Sequence, residues 1–68
     1  MVEIDARGLS CPEPVMKVKK ASDSGEREIK ITVTDFVAVE NIKRFAGFAT
    51  FSFDVTENDD EFEIVLRK

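Results

Sequence analysis

Hydrophobic residues alternate with polar ones in four segments of the chain, a pattern typical of strands with one buried face. The alternating apolar positions are Val2, Ile4, Ala6; Ile29, Ile31, Val33; Phe51, Phe53, Val55; and Phe62, Ile64, Leu66. A short polar connection, residues 57–60, separates the last two segments and predicts a hairpin. The pattern therefore predicts four strands, of which the last two are antiparallel neighbours.

Apolar residues recur at helical spacing in the two segments that separate the first three strands. The apolar positions are Val15, Met16, Val18 and Ala21 in the first segment and Ala38, Ile42, Phe45 and Ala46 in the second. The first helix is predicted to begin with Pro12 near its first position and to end at Gly25. The second is predicted to follow Asp35 as a capping residue and to stop at Gly47.

The order strand, helix, strand, helix, strand, strand predicts an α+β fold. A helical crossover makes the first two strands parallel, and the hairpin makes the last two antiparallel. Because each strand has one apolar face, we expect a two-layer α/β sandwich of βαβαββ order, a four-stranded mixed sheet with two helices on one face. We expect residues 1–68 to form a single domain. Core packing is predicted for Phe45, Phe51, Phe53 and Phe62.

Composition restricts the chemistry of this chain. It has 68 residues, one cysteine, no histidine and a net charge of −4. These counts exclude an internal disulfide and a zinc site, and they argue against a general nucleic-acid binder. No apolar segment approaches the roughly 20 residues of a membrane span, and the acidic start does not resemble a signal peptide. We therefore expect a cytoplasmic, monomeric protein without a metal or cofactor.

The single cysteine, Cys11, stands where a loop is predicted to run into the first helix. Free backbone N–H groups and the positive end of the helix dipole at such a place favour a thiolate. They can therefore lower the pKa of a cysteine. Pro12 and Pro14 remove two of these donors, which leaves the N–H groups of Glu13 and of the residues from Val15 onward as candidate partners.

Nearby charges act on Cys11 in both directions. The carboxylate of Glu13 opposes ionisation, whereas Arg7 and Lys17 favour it, so we expect the thiol pKa to be lowered only modestly. Most free cysteines are small buried hydrophobes, and this alternative stays open. The polar neighbour Ser10 and the position outside the apolar stripe favour a reactive thiol.

Residues 5–16, Asp-Ala-Arg-Gly-Leu-Ser-Cys-Pro-Glu-Pro-Val-Met, resemble the signature of the TusA/SirA-like sulfur-carrier (sulfurtransferase) family. This family consists of small domains with a Cys-Pro-x-Pro motif, and the resemblance in element order and length extends over nearly the whole chain. It implies that Cys11 accepts a sulfane sulfur as a persulfide and passes it to a partner protein. The supporting residues of the motif are Arg7, Gly8, Pro12, Glu13 and Pro14.

The resemblance also implies partners. The donor would be a PLP-dependent cysteine desulfurase or a rhodanese-like protein. The acceptor would serve tRNA thiolation, sulfur oxidation, cofactor synthesis or a related pathway. Many family members carry Asp-Pro before the second helix, whereas here Asp35 is followed by Phe36, which leaves the partner contacts of that loop open. Candidate docking residues are Leu9, Lys17 and Lys20.

Two other functional hypotheses remain beside the carrier. The first is a non-catalytic regulatory or adaptor module that binds a partner through the basic face of the first helix, at Lys17 and Lys20. The second, a thiol redox enzyme, is weak because Cys11 has no resolving cysteine. Transfer between persulfides requires only thiolates, so the lack of histidine agrees with a carrier. Whether the chain is an enzyme or a carrier stays open.

Overall fold

The structure contains the predicted elements in the predicted order. It is a computed structural model that describes residues 1–10 and 12–68. The elements are β1 (Val2–Asp5), α1 (Glu13–Asp23), β2 (Glu28–Val33), α2 (Phe36–Phe48), β3 (Ser52–Asn58) and β4 (Glu61–Arg67). None of the helices in the described part of the chain is long and apolar enough to cross a membrane.

The four strands form one mixed sheet of order β1-β2-β4-β3. β1 and β2 are parallel, and β4 is antiparallel to both β2 and β3. A row of aliphatic side chains crosses the sheet, because Ile31 of β2 is paired with Ile4 on one side and Ile64 on the other, and Ile64 is paired with Val55. The predicted α+β sandwich is confirmed.

The core lies between one face of the sheet and the two helices. The buried apolar residues are Ala6, Val18, Ile29, Ile31, Val33, Ala38, Val39, Ile42, Ala46, Phe51, Ile64 and Leu66. The opposite face of the sheet is polar: there Lys30 Nζ lies 3.6 Å from Glu63 Oε1, beside Thr32. One face of each central strand is therefore covered and the other faces solvent, as the alternation predicted.

Helix α1 begins one residue later than predicted. Pro12 is its N-cap, so the first helical residue is Glu13, and Pro14 occupies the second position. Pro14 and Val18 are buried, whereas Met16 is 59% exposed and the prediction that it faces the core is wrong. The reason is geometric: positions 14 and 18 lie on one helical face, and position 16 points about 200° away from position 14.

Helix α2 starts as predicted but ends later. The Asp35 carboxylate accepts a hydrogen bond from the Val37 N–H at 3.0 Å, which caps the helix. The helix continues through Gly47 to Phe48, so the predicted stop is wrong. The left-handed position that ends it belongs to Thr50, at φ 63°, and the Phe51 N–H then donates to the Ala46 carbonyl at 2.8 Å.

Thr50→Gly is expected to raise the free energy of unfolding by about 0.5–1 kcal/mol. A β-branched residue in the left-handed region is strained by about 1–2 kcal/mol, and the greater freedom of glycine in the unfolded chain offsets part of that gain. Urea unfolding followed by circular dichroism measures the difference. The matched control is Thr56→Gly in β3, which should destabilise the protein because glycine weakens a strand. Equal effects at the two positions would contradict strain at Thr50.

Strand β3 is an edge strand with one neighbour, and all seven of its residues are exposed. Phe53 and Val55 are 38% and 40% exposed, so the prediction that Phe53 packs in the core is wrong. Phe51, just before the strand, is buried, and Phe45 and Phe62 are partly buried against the core. The alternation in β3 correctly identified which face of the strand is turned toward the helices. The helices cover that face fully only over the central strands, so β3 stays exposed.

Candidate functional site

The cysteine motif belongs to the loop that joins β1 to α1, at the edge of the sheet where the parallel strands β1 and β2 end. The same edge holds the start of α2 and the start of β4, because Val33 at the end of β2 is paired with Phe62. Cys11 itself lies outside the described residues. Its predicted reactivity and lowered thiol pKa therefore stay predictions, and the site is defined by the residues on either side of it.

The loop before Cys11 is attached to the end of β2. The Ala6 N–H donates to the Thr32 carbonyl at 2.9 Å, and the Gly8 N–H donates to Thr34 Oγ1 at 3.0 Å. Gly8 has φ +80°, a conformation that L side chains rarely adopt, although a Cβ there would meet open space. The Leu9 N–H closes the turn on the Ala6 carbonyl at 3.2 Å. Glycine is therefore required at position 8 for the backbone conformation of the loop, and the hydrogen bond to Thr34 fixes the loop in that conformation.

Arg7 forms ion pairs with two carboxylates. Its Nε and Nη2 lie 2.9 and 3.0 Å from Asp5 Oδ1 and Oδ2, and its Nη1 lies 3.3 Å from Glu61 Oε2. These groups line a shallow cavity of about 350 Å³ on the polar face of the sheet. The charge of Arg7 is thus shared between two carboxylates, which weakens the predicted contribution of Arg7 to a Cys11 thiolate.

The ion pair also perturbs both titrating groups. Hydrogen bonds from the Arg7 side chain and backbone lower the pKa of Asp5 from 3.8 to about 2. The hydrogen bonds to Asp5 and Glu61 raise the pKa of Arg7, which therefore stays charged at every physiological pH. The loop is held in part by charge, and this contribution depends on an ionised Asp5.

The Asp5 carboxyl is expected to titrate with a midpoint of about 2 in the folded protein. Because that pKa is lowered by folding, its stabilising contribution is complete above the unfolded pKa of 3.8 and is lost as the pH falls toward 2. Carboxyl carbon NMR measures the midpoint directly. Arg7→Gln should return it toward 3.8, whereas Arg44→Gln, on α2, should leave it in place. An unchanged midpoint in Arg7→Gln would refute the assigned cause.

The backbone after Cys11 is occupied by turn hydrogen bonds. The Glu13 N–H donates to the Ser10 carbonyl at 2.9 Å, and the Met16 N–H donates to the Pro12 carbonyl at 3.1 Å. The prediction that the Glu13 N–H is available as a partner is therefore wrong, because this N–H already donates to the Ser10 carbonyl. Pro14 is buried and fixes the helix start, while Pro12 and the Glu13 side chain are exposed.

The predicted docking residues do not share one environment. Leu9 is half-buried and packs against the core. Lys17 and Lys20 are exposed and line an open groove of about 360 Å³ between α1 and β1, whose apolar part includes Val2 and Ile4. Neither lysine forms an ion pair with a carboxylate of the described residues. The basic face of α1 is therefore charged and accessible, as predicted.

Phe36 lies at the same sheet edge as the cysteine loop. It is the first residue of α2, is 59% exposed, and its ring centroid lies 5.9 Å from that of Phe62 at an interplanar angle of 59°. The first position of a helix tolerates proline, so Phe36 occupies a place where the Asp-Pro of relatives also fits. The replacement keeps the helix start and adds an exposed aromatic ring beside the site.

Three residues that hold this site were not predicted from the sequence as site residues: Thr34, Glu61 and Phe62. The partner of Arg7 at position 61 is 54 residues away, and no local pattern indicates it. Thr34 was detectable in principle, because a hydroxyl directly after a parallel strand lies beside the loop that follows its neighbour. Phe62 requires the strand register, which pairs it with Val33.

The fold and site define a class of small α+β domains that hold a cysteine motif at the start of their first helix. Residues 2–68 match the family model described as Sulfurtransferase TusA. The chain is 41% identical over 73 residues to "Putative sulfur carrier protein MJ0990" of Methanocaldococcus jannaschii, covering 100% of this chain and 95% of that protein. The crystal structure of a SirA-like protein from Desulfitobacterium hafniense superposes with a TM-score of 0.89 at 28% identity, over 98% of this chain and 96% of the other. The protein belongs to the TusA family of sulfurtransferases.

Proposed function

We propose that this protein is a sulfur carrier that holds sulfane sulfur as a persulfide on Cys11 and relays it from a donor protein to an acceptor protein. The observation that carries the proposal is the position of the only cysteine, in a Cys-Pro-Glu-Pro motif, within a chain that matches the sulfurtransferase family from residue 2 to residue 68. The archaeal relative named as a sulfur carrier supports the same role. The proposal takes residues 1–68 as one domain that acts in the cytosol.

The proposed reaction consists of two thiol exchanges. The Cys11 thiolate attacks the terminal sulfur of a persulfide on the donor, forming a new S–S bond on Cys11. The donor S–S bond breaks and its cysteine leaves as a thiolate. An acceptor thiolate then attacks the terminal sulfur of the Cys11 persulfide, and Cys11 leaves as a thiolate. Each step exchanges one S–S bond for another, so neither requires an external oxidant or reductant.

The described residues support this role by fixing the chain on both sides of Cys11. Before Cys11, the Gly8 N–H donates to Thr34 Oγ1. After Cys11, the Glu13 N–H donates back to the Ser10 carbonyl. Buried Pro14 restricts the first turn of α1. A loop constrained in this way loses little conformational entropy when it meets a partner.

Donor and acceptor proteins are proposed to dock around this sheet edge. Leu9 and the exposed ring of Phe36 offer apolar contact beside the motif, and Lys17 and Lys20 offer positive charge along α1. Since the same cysteine must meet two proteins in turn, both are expected to use overlapping parts of this surface.

The proposal is tested by loading the purified protein with a cysteine desulfurase, PLP and cysteine, and in a second arm with inorganic polysulfide. Intact mass spectrometry should show the addition of one sulfur atom that dithiothreitol removes. Mass spectrometry of a tryptic digest should locate it on peptide 8–17. Protein alkylated beforehand on its only cysteine is the control. If neither donor adds sulfur, or if the alkylated protein gains it equally, the proposal fails.

An adaptor function is the second candidate, and it rests on Lys17 and Lys20, which have no carboxylate partner among the described residues. In that case Lys17→Glu with Lys20→Glu should abolish binding to the partner, while Cys11→Ser should leave binding intact. Lys19 already forms an ion pair with Asp23 at 3.1 Å, so Lys19→Glu serves as a matched control on the same helix. A carrier, by contrast, loses its function with Cys11.

A further inference from the structure

The outer edge of β3 is a long open strand edge. β3 is paired with β4 on one side only, through all seven residues from Ser52 to Asn58. It contains no proline and no lysine, which natural edge strands often use to prevent further pairing, and its only charged residues are Asp54 and Glu57. The other edge of the sheet, β1, has four residues. Its last residue, Asp5, is held by Arg7.

Two apolar side chains line the helix side of this edge. Phe53 is paired with Leu66 and Val55 with Ile64, so both extend the core face beyond the buried strands. Their exposure of 38% and 40% leaves apolar area that a further strand would cover. Lys43 Nζ lies 5.8 Å from the centroid of the Phe53 ring, at the border with α2.

The charge along the same edge is negative. Asp54 and Glu57 belong to β3, and Asp59 and Asp60 form the turn that follows. None of these four carboxylates forms an ion pair within the described residues. Asp54 lies on the face opposite Val55, whereas Glu57 shares the face of Phe53 and Val55 near the acidic turn. An added strand would therefore gain from apolar side chains beside Phe53 and Val55 and from basic side chains beside Asp54, while Glu57 and the turn add further negative charge at the end of the edge.

We propose that the open edge of β3 binds an extended polypeptide segment in which apolar and basic residues alternate, adding a fifth strand to the sheet. The β3 edge, residues 52–58, contains none of the residues that hold the cysteine loop, so this function is additional to sulfur transfer. A second copy of the chain is a poorer occupant. Each copy has a net charge of −4, and a second β3 would add its own Asp54, Glu57 and acidic turn to an edge that is already negative, so charge repulsion opposes such pairing.

The test uses a capped, fluorescein-labelled peptide of alternating valine and lysine, matched in length to the seven residues of β3. Fluorescence anisotropy should show saturable binding, and backbone amide NMR shifts should change mainly at residues 52–58. Val55→Lys should weaken binding by about tenfold or more, because it removes apolar contact and adds a like charge. The matched control Val37→Lys changes the net charge equally at a valine that is 54% exposed on α2, and should bind within about twofold of wild type.

Two further peptides separate strand addition from plain charge attraction. One is N-methylated at its valines and the other at its lysines, so each has one hydrogen-bonding edge blocked with its charge unchanged. At least one should bind about tenfold more weakly, because main-chain hydrogen bonds supply affinity in strand addition. Cys11→Ser should bind like wild type, which distinguishes this result from failure of the carrier proposal.

Several outcomes overturn the proposal. They are no saturable binding, equal weakening by Val55→Lys and Val37→Lys, binding of both N-methylated peptides as tightly as the unmethylated peptide, and amide shifts centred outside β3. A wild-type dimer that Val55→Lys converts to a monomer, with no peptide binding, would show instead that a second copy occupies the edge.

Discussion

Replacing Cys11 with serine is expected to abolish sulfur loading and relay completely while the protein stays folded. The hydroxyl of serine is not ionised at neutral pH and forms no persulfide, and the chain has no second thiol to replace it. Loading is measured as the addition of one sulfur atom to the intact mass, and relay as the transfer of that sulfur to a thiol acceptor. Circular dichroism and the urea midpoint report the fold.

Cys11→Ala is the companion variant, because it separates loss of the thiol from the introduction of a hydroxyl. Both variants should show no loading and an unfolding free energy within about 0.5 kcal/mol of wild type, as for a surface substitution. A result in which both variants lose about 1–3 kcal/mol would instead identify Cys11 as a buried structural residue. Residual loading in either variant would place the sulfur on another group and contradict the carrier proposal.

The elements that sequence analysis predicted well are those whose signals are local. β2 alternates without a break, and Gly25 at φ +92° ends α1 with the Glu26 N–H bonded to the Ala21 carbonyl, the arrangement that a glycine after a helix predicts. The end of α2 was missed because Gly47 is a helical residue and Thr50 takes the left-handed position. A glycine marks a position where the left-handed conformation has little energetic cost. The chain is not obliged to adopt that conformation there.

Predictions that depended on strand order were less successful. The alternation of Phe53 and Val55 in β3 resembles that of Ile29 and Ile31 in β2, yet the first pair is partly exposed and the second is fully buried. The difference is the position of the strand, at the edge in one case and between two neighbours in the other. Periodicity identifies which face of a strand is apolar, whereas the amount of cover over that face depends on tertiary structure.

The site shows the same division. The motif Arg7-Gly8-Leu9 through Pro14 identified the loop, and its dependence on a positive φ at Gly8 follows from local chemistry. What holds the loop is distant in sequence: Thr34 binds the Gly8 N–H, and Glu61 binds Arg7. The role assigned to Arg7, support of a thiolate, is weakened by its ion pairs with Asp5 and Glu61, and the second of these is 54 residues away.

Ile31→Ala should produce the largest loss of stability, about 2–5 kcal/mol. Ile31 is fully buried at the centre of the sheet, between Ile4 and Ile64, and a truncation there leaves a cavity that neighbours on both sides cannot fill. A domain of 68 residues has a total stability of about 3–10 kcal/mol, so the loss is a large fraction of the whole. Urea unfolding measures it. Met16→Ala, on an exposed side chain of α1, is the control and should change stability by about 0.5 kcal/mol or less.

Ile31→Val should lower the free energy of unfolding by about 0.5–1.5 kcal/mol. Ile31→Val and Ile31→Ala together therefore test whether the loss of stability increases with the size of the cavity. The effect on sulfur loading should follow the folded fraction, because Thr34, which fixes the loop before Cys11, directly follows β2. Loading in Ile31→Ala should therefore recover when the temperature is lowered until the variant is folded, whereas loading in Cys11→Ser should not recover at any temperature. If the folded Ile31→Ala variant fails to load sulfur, the loss of loading cannot be explained by unfolding, and a purely structural role for Ile31 is wrong.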